Sequence, residues 1–324
     1  MKITIYVCTH KKAAFPADPV YRPIHVGRTL SQDLGYPGDD SGDNISELNP
    51  LFVELTGMYW AWKNDRDSDA IGLCHYRRYF FREGKLLSGA DYEEILKDCD
   101  MIASDISEGE NSCRERFAEA FNGKDLEAME HSVKKLYPEY SEAFAKAFDA
   151  KGGYSGNMIV MPRKMFHAYC EWLFSILFDA SEEIDTSGYN GYQKKVFGLL
   201  GENMPRVWAL HHGLKVYECP IGYSGEKAET KELKLALKVL VKQHKIAEAR
   251  ELFYGVTKQR PDVMLPASDI SGELRLIEQL LYIMAGEGDK EGGLLSRSDD
   301  LEELLGYYRG LGGSIEAYES RGDA

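Results

Sequence analysis

The sequence predicts an α/β fold, with a mostly parallel or mixed sheet covered by helices on both faces and a small all-helical C-terminal domain. Short apolar runs alternate with longer segments of helical periodicity up to about residue 225. Such an alternation is typical of α/β domains. The strand-like runs are almost entirely apolar, as expected of strands buried on both faces. After residue 225 these runs stop, so we predict two domains, 1–225 and 226–324.

The strands of the first domain are predicted from apolar runs that end in polar residues, Gly or Pro. They are residues 3–8, 24–26, 70–74, 101–103, 158–161 and 215–219. Residues 31–46 are rich in Gly, Asp, Ser and Pro, which predicts a loop.

The helices are predicted from apolar residues spaced three and four apart. In the first domain they are residues 46–64, 126–136, 165–178 and 190–200. Pro138 ends the second of these, because proline lacks the amide that a helix interior needs. In the second domain we predict helices at 233–241, 246–254, 272–285 and 298–309.

Composition excludes some functions. The 324 residues carry a formal net charge of −14, which argues against non-specific nucleic-acid binding. No stretch approaches 18 consecutive apolar residues, and the N-terminus lacks the long apolar region of a secretory signal. The six cysteines form no C-x-x-C pair, so we expect free thiols in a reducing compartment. These observations predict a cytoplasmic protein.

Polar residues follow two of the predicted strands where ligands bind in open α/β sheets. Thr9, His10 and Lys11 follow the first strand, and His75-Tyr76-Arg77-Arg78 follows the strand at 70–74. The forked donors of arginine match phosphate oxygens, so Arg77 and Arg78 are candidates for binding a diphosphate. The alternative is that both arginines pair with surface acids of this acidic protein.

The acidic loop before the first long helix has two interpretations. Asp43 and Asn44 precede an apolar helix, so they could cap it or hold a ribose or sugar hydroxyl, and both interpretations stay open. We expect Asp39 and Asp40 to be solvated. The loop does not fit a calcium-binding EF-hand, because its sixth position is Asn44 instead of glycine.

A metal site is not expected at the end of the 70–74 strand. The Asp-x-Asp triplets at residues 65–67, 67–69 and 98–100 all precede strands instead of following them. Two arginines could neutralise a leaving diphosphate without a metal. We therefore predict that no cofactor is required, with Mn²⁺ or Mg²⁺ as the alternative.

The segment from residue 43 to 80 resembles a bacterial domain family found in capsular and exopolysaccharide gene products and catalogued as of unknown function. The resemblance rests on Asp43-Asn44-Ile45-Ser46, Glu54-Leu55-Thr56-Gly57, Trp62-Lys63-Asn64 and Ile71-Gly72-Leu73-Cys74-His75-Tyr76-Arg77-Arg78. It extends over residues 1 to about 222. It implies a glycosyltransferase of the GT-A type with a nucleotide-sugar donor, UDP-linked. Some relatives are thought to transfer galactofuranosyl or galactosyl units.

Together, the residue patterns and the resemblance predict a site with three groups of residues. The predicted catalytic residues are Asp43, His75 and Glu202. The predicted donor-binding residues are Thr9, His10, Lys11, Gly27, Asn44, Arg77 and Arg78. The predicted acceptor-binding residues are Tyr154 and Asn157. Near Glu202 the family carries an Arg or a Glu-Arg pair, whereas this chain has Glu202-Asn203.

Two classes of function remain open. The first is an enzyme that transfers a sugar to a polysaccharide or a lipid-linked oligosaccharide. The second is a non-catalytic nucleotide-sugar or glycan-binding module of an assembly complex. A lipid-linked acceptor predicts peripheral contact with the inner face of the cytoplasmic membrane. The candidate surface is a helix face carrying Lys231, Lys234, Lys238 and Lys242, for which a solvated face is the alternative.

Overall fold

The computed structural model describes residues 1–288 and 290–310, except for the side chains of residues 107 and 108. The chain divides into two compact units, Met1–Ser224 and a second unit that begins at Gly225. Within the described residues, no helix has both the length and the apolar character needed to cross a bilayer.

The first unit is organised around a mixed sheet. The strands of the first unit are β1 (Ile3–Thr9), β2 (Tyr21–His25), β3 (Ala70–His75), β4 (Arg78–Arg82), β5 (Lys85–Leu86), β6 (Met101–Ser104), β7 (Ser107–Ser112), β8 (Lys151–Gly153), β9 (Ile159–Pro162), β10 (Val216–Cys219) and β11 (Ile221–Tyr223). Strands β7 and β8 form a separate two-stranded sheet, and the others belong to the mixed sheet.

The helices of the first unit come between these strands. They are α1 (Asn49–Phe52), α2 (Leu55–Asn64), α3 (Gly89–Asp98), α4 (Cys113–Ala120), α5 (Gly123–Leu136), α6 (Ser141–Phe148), α7 (Arg163–Glu183), α8 (Val196–Gly201) and α9 (Met204–His212). Short 3₁₀ helices lie at Arg28–Leu30, Ser46–Leu48, Pro138–Tyr140 and Gln193–Lys195. The long helix predicted over residues 46–64 is divided into a 3₁₀ turn, α1 and α2.

The main path through the sheet runs β10-β6-β9-β3-β1-β2, and β4 pairs with β3, β5 and β11. β1 is parallel to both β2 and β3, and β10 is parallel to β6. β9 runs antiparallel to its neighbours β3 and β6. The residues that precede β9 therefore lie at the edge where β3 ends. From the sequence, Asn157 was predicted at an opposite or re-entrant edge; the reversal of β9 makes it re-entrant.

Alternate residues of the central strands enter two different cores. Tyr6 and Cys8 pack into a core with helices α2 and α4–α9, whereas Ile5 and Val7 pack into a second core with α3 and β4. This alternation follows from the two-residue period of a strand. The predicted fold class, a mixed α/β sheet with helices on both faces, is confirmed.

Among its described residues, the second unit contains helices and loops but no strand. Its helices are α10 (Ala228–Lys242), α11 (Ile246–Gln259), α12 (Glu273–Glu287), α13 (Leu294–Arg297) and α14 (301–310), with a 3₁₀ turn at Pro261–Met264. They enclose a separate apolar core that includes Leu237, Phe253 and Leu280. This agrees with the helices predicted from the sequence.

Candidate active site

A hairpin at the carboxyl end of β3 carries His75, predicted to be catalytic, and the two arginines, Arg77 and Arg78, predicted to bind the donor diphosphate. His75, the last residue of β3, pairs directly with Arg78, the first residue of β4. Tyr76 and Arg77 therefore form the tip of a tight turn. The Tyr76 amide donates to the Cys8 carbonyl on β1 at 3.1 Å, which anchors the tip to the neighbouring strand.

The Tyr76 ring gathers three basic residues from two strand ends. His10 meets the ring edge-on, with ring centroids 5.5 Å apart. Lys11 Nζ lies 5.9 Å and Arg77 Cζ 5.8 Å from the ring centroid. We call His10, Lys11, Tyr76 and Arg77 the basic patch. Three positively charged or protonatable groups within one patch concentrate positive charge locally on a protein that is acidic overall.

His75 has a defined tautomer and charge. Its Nε2 lies 2.5 Å from the Gly156 carbonyl, which can only accept, so Nε2 carries the proton. Burial lowers the pKa of His75, and the charges of Arg78 and Arg77 lower it further against the opposing effect of Glu54. His75 is therefore neutral at neutral pH.

Gly156 brings several of these groups together. Its φ of +74° lies in the left-handed region that favours glycine. A Cβ at this position would lie 3.1 Å from Arg78 Nη1 and 3.3 Å from His75 Nε2. Because Gly156 has no side chain, the residues that precede β9 can pack against the end of β3.

Glu202 lies between α8 and α9, within hydrogen-bond reach of the Gly156 amide. Burial raises its pKa to about 7, and the nearby Glu54 carboxylate contributes in the same direction. Arg78, the Gly156 amide and Arg116 act in the opposite sense by favouring the charged form. A carboxylate with a pKa near 7 is suited to accept a proton at neutral pH.

Glu54 was not predicted from the sequence, yet it belongs to this site. It directly precedes α2 and is 7% exposed. Its Oε1 accepts a hydrogen bond from Asn157 Nδ2 at 2.6 Å. We call Glu54, His75, Arg78, Asn157 and Glu202 the acid–base cluster. The sequence did offer one sign that Glu54 belongs to a site: it is a single carboxylate inside the apolar run Phe52 to Met58. Acids are rarely buried without a partner.

Two predicted donor-binding residues shape loops instead of presenting free groups. Thr9 is buried, and its Oγ1 donates to the Lys11 carbonyl at 2.6 Å. The Gly27 amide donates to Asp39 Oδ2 at 2.9 Å. Asp39, expected to be solvated, is instead fully buried and also accepts from Ser46 Oγ and Thr56 Oγ1.

The structure does not bring Asp43, predicted to be catalytic, or Asn44, predicted to bind the donor, to the hairpin after β3. Asp43 is exposed and contacts the last turns of α2, accepting from the Tyr59 hydroxyl at 3.1 Å. Asn44 donates to the Gly42 carbonyl within the same loop. Glu54 of the acid–base cluster lies at the opposite end of α2, and ten helical residues span about 15 Å. The loop turns back along the helix instead of staying at its N-terminus, which the sequence did not indicate.

The predicted acceptor-binding residues are both buried. Asn157 is 1% exposed, and its Nδ2 donates to Glu54 and to the Gly198 carbonyl. The Tyr154 hydroxyl donates to Glu218 Oε1 at 3.1 Å. Their side chains are therefore engaged within the protein, and direct contact with an acceptor stays a prediction.

The acidic triplets lie at the amino ends of strands and are engaged there. Asp65 accepts from Ser68 and Tyr6, Asp69 accepts from the Lys2 amide, and Asp100 accepts from the Lys215 amide. At the carboxyl end of β3, guanidinium groups occupy the place where a metal-dependent enzyme would carry carboxylates. Guanidinium groups cannot ligate a divalent cation, which prefers oxygen ligands.

A family described as a domain of unknown function, DUF4422, matches residues 4–213. The chain belongs to this family. A solved apo structure of the bifunctional glycosyltransferase WbbM is similar over 69% of this chain, with 32% sequence identity and a TM-score of 0.65. The DUF4422 chain covers 46% of WbbM, so it spans less than half of that protein. No curated protein matches the chain. The likeness to WbbM confirms the predicted glycosyltransferase-like family and supports glycosyl transfer in general terms.

Proposed function

We propose that this DUF4422 chain transfers a sugar from a UDP-sugar to a glycan or lipid-linked oligosaccharide in cell-surface glycan synthesis. The observation that carries the proposal is the proximity of Arg78 to Glu202, whose pKa suits it to accept a proton, with Tyr76 and Arg77 of the basic patch on the same hairpin as Arg78. Arg78 and the basic patch can bind a diphosphate, while Glu202 removes a proton. The resemblance noted in the sequence makes galactosyl and galactofuranosyl units the first donors to test.

The leaving group would be stabilised by fixed positive charge. When the bond between the anomeric carbon and the donor phosphate breaks, its electron pair stays on the β-phosphate oxygen of UDP. Arg77 and Arg78, with Lys11 and His10 nearby, would hold this charge. Preorganised charges of this kind are worth about 10²–10³ in kcat each. We propose that the reaction needs no metal ion, because the residues at this strand end are cationic.

Glu202 would act as the general base. The acceptor hydroxyl attacks the anomeric carbon and gives its proton to the Glu202 carboxylate, so that UDP, the glycoside and a protonated Glu202 are formed. The pKa of about 7 leaves a large fraction of Glu202 ionised at neutral pH. Glu54 is too deeply buried to meet an acceptor. A single displacement would invert the configuration at the anomeric carbon.

The lysine face of α10 gives little support for the proposed membrane contact. Lys234 is paired with Glu226, Asp269 and Glu273, and Lys238 is paired with Glu302. Both positive charges are therefore compensated within the second unit. A cytoplasmic location at the inner membrane face remains a proposal that depends on a lipid-linked acceptor.

The test uses purified protein with UDP-, GDP-, dTDP- and CDP-sugars. We expect UDP and UDP-sugars to raise the melting temperature most, because a ligand that binds the folded state stabilises it. We also expect slow release of UDP without acceptor, reduced by about 10² or more in Glu202→Gln. Binding without any release, with and without candidate acceptors, would favour the non-catalytic binding module instead.

A further inference from the structure

Strand β4 begins with Arg78 and is held by β11 along most of its length. Among the described strand residues, β3 meets β4 through one pair, His75 with Arg78. The hairpin that carries Arg77 and Arg78 therefore depends on β11 as well as on β3. Three residue pairs join the antiparallel strands β11 and β4: Ile221 with Phe80, Gly222 with Tyr79 and Tyr223 with Arg78.

Two backbone hydrogen bonds continue this pairing at both ends of β11. The amide of Ser224, directly after β11, donates to the Arg77 carbonyl at 3.0 Å. At the other end, the Phe81 amide donates to the Pro220 carbonyl at 2.8 Å. We call residues 221–224 the strap. It holds the carbonyl of Arg77 and pairs with Arg78, so it contacts the backbone of both arginines predicted to bind the diphosphate.

The C-terminal half of the strap lies at the protein surface. Tyr223 is 38% exposed, and Ser224 is exposed as well. Because exposed residues bury little apolar area, they add little to stability through burial. Their hydrogen bonds are directional, however, and fix the backbone from which the two arginines project. Binding groups have to be held within about 0.5 Å of the productive geometry, so these contacts suit a positioning role.

Gly222 allows the strap to lie close to β4. A Cβ at this position would be 2.4 Å from Cε2 and 2.5 Å from Cδ2 of the Phe81 ring. Phe81 belongs to β4, three residues after Arg78. A side chain at position 222 would therefore push the strap away from β4 without touching either arginine.

We propose that Ser224 is a positioning residue of the donor site, whose backbone amide, together with the strap, holds Arg77 and Arg78 where their guanidinium groups can bind the donor diphosphate. This inference rests on the proposed function, which assigns the hairpin to diphosphate binding. The strap follows residue 213, where the family match ends, so the donor site extends beyond the matched residues.

The first test removes the Ser224 amide hydrogen from the full-length protein. Ser224→Pro lacks this donor, whereas Ser224→Ala keeps it. Tyr223 lies in a strand, a conformation that is favoured before proline. We expect Ser224→Pro to raise the dissociation constant of UDP, measured by calorimetry, about tenfold, which corresponds to the loss of one charge-assisted hydrogen bond. Ser224→Ala should retain the affinity of the wild type.

Uridine separates positioning from general damage, because it lacks the phosphates that the arginines would bind. Its dissociation constant should be the same in the wild type, Ser224→Pro and Ser224→Ala. A merely structural role would lower the melting temperature of Ser224→Pro without changing the ratio of the UDP and uridine dissociation constants.

The second test perturbs the strap at Gly222 and then relieves the perturbation. Gly222→Ala should weaken UDP binding, because the new Cβ would meet the Phe81 ring. Phe81→Leu shortens that side chain, so the double variant should regain the affinity of Phe81→Leu alone. Such coupling between neighbouring residues is what a double-mutant cycle measures. Gly225→Ala is the matched control, since a Cβ there would have no atom within 4 Å, and it should bind UDP as the wild type does.

The outcomes are distinct. Wild-type UDP affinity in folded Ser224→Pro would overturn the inference, as would equal losses of UDP and uridine affinity. If Ser224→Pro does not fold, Gly222→Ala decides, and unchanged UDP binding or a loss that Phe81→Leu does not relieve would overturn the inference. If the wild type binds and releases UDP but the variants do the same, this inference alone fails. If the wild type binds UDP no more tightly than uridine, the proposed function fails with it.

Discussion

Replacing Glu202 by Gln should stabilise the folded protein, and only at higher pH. The pKa of Glu202 rises from an ordinary value of 4.5 to about 7 through burial. At about 1.4 kcal/mol per unit, this rise corresponds to at most about 3 kcal/mol, since the exposed part of the side chain is screened by solvent. This free energy is the cost of ionising Glu202 in the folded protein. Gln cannot ionise, so the Glu202→Gln variant avoids it.

The sign follows from proton binding. Between about pH 4.5 and 7, the folded state holds a proton on Glu202 that the unfolded state has released. The wild type therefore loses stability relative to Glu202→Gln as pH rises through this window, and the full difference is reached above about pH 8. Below about pH 4.5, Glu202 is protonated in both the folded and the unfolded wild type, and the pH-dependent difference vanishes.

Urea unfolding followed by tryptophan fluorescence measures this effect. All four tryptophans lie in the first unit, so the signal reports the unit that contains Glu202. Glu202→Gln should gain about 2–3 kcal/mol over the wild type between about pH 4.5 and 8, whereas Glu47→Gln should gain nothing. A stability difference that stays within about 0.5 kcal/mol across this range would refute the raised pKa of Glu202. It would also remove the main reason to regard this residue as the base.

Further predictions concern the hairpin, the metal and the approach to β9. Ala at Arg77 and Arg78, tested separately, should lower kcat for UDP release by about 10² at one or both positions, with only partial recovery by Lys because an ammonium lacks the forked geometry. EDTA should leave UDP release unchanged, and full loss with recovery in Mn²⁺ would show that a metal binds. Gly156→Ala should lower both stability and activity, since its φ is +74° and the new Cβ would crowd Arg78; wild-type behaviour would contradict this. Asp43→Asn should change kcat less than about threefold, because it lies at the far end of α2, and a hundredfold loss would return it to the site.

The sequence predicts a strand or helix correctly where a single hydrophobic pattern is enough to specify it. The run Ile3 to Cys8 and the amphipathic stretch at 165–178 correspond to β1 and α7, because an apolar strand and a helical stripe both require burial. Short elements with mixed composition were missed. β4, with the sequence Arg78-Tyr79-Phe80-Phe81-Arg82, has arginines at both ends and forms because the tight turn after His75 pairs it with β3.

The site was predicted in part, and the reason lies in strand direction. Adjacency in the sheet explains why His10, Lys11 and Arg77 meet around Tyr76: β1 and β3 are parallel, so their ends coincide. The place of Glu54 in the site could not be predicted, because it depends on two structural features that no local sequence pattern indicates. These are the reversal of β9, which delivers Asn157, and the unusual backbone at Val53.

A crystal structure of the protein soaked with UDP tests the central claim most directly. We predict that the β-phosphate lies within hydrogen-bond distance, about 3.5 Å or less, of the Arg77 or Arg78 guanidinium. Glu202 should then border the open space beyond that phosphate, where an anomeric carbon would be attached. UDP bound away from the hairpin after β3, or held there through a metal ion on Asp or Glu residues, would contradict the account.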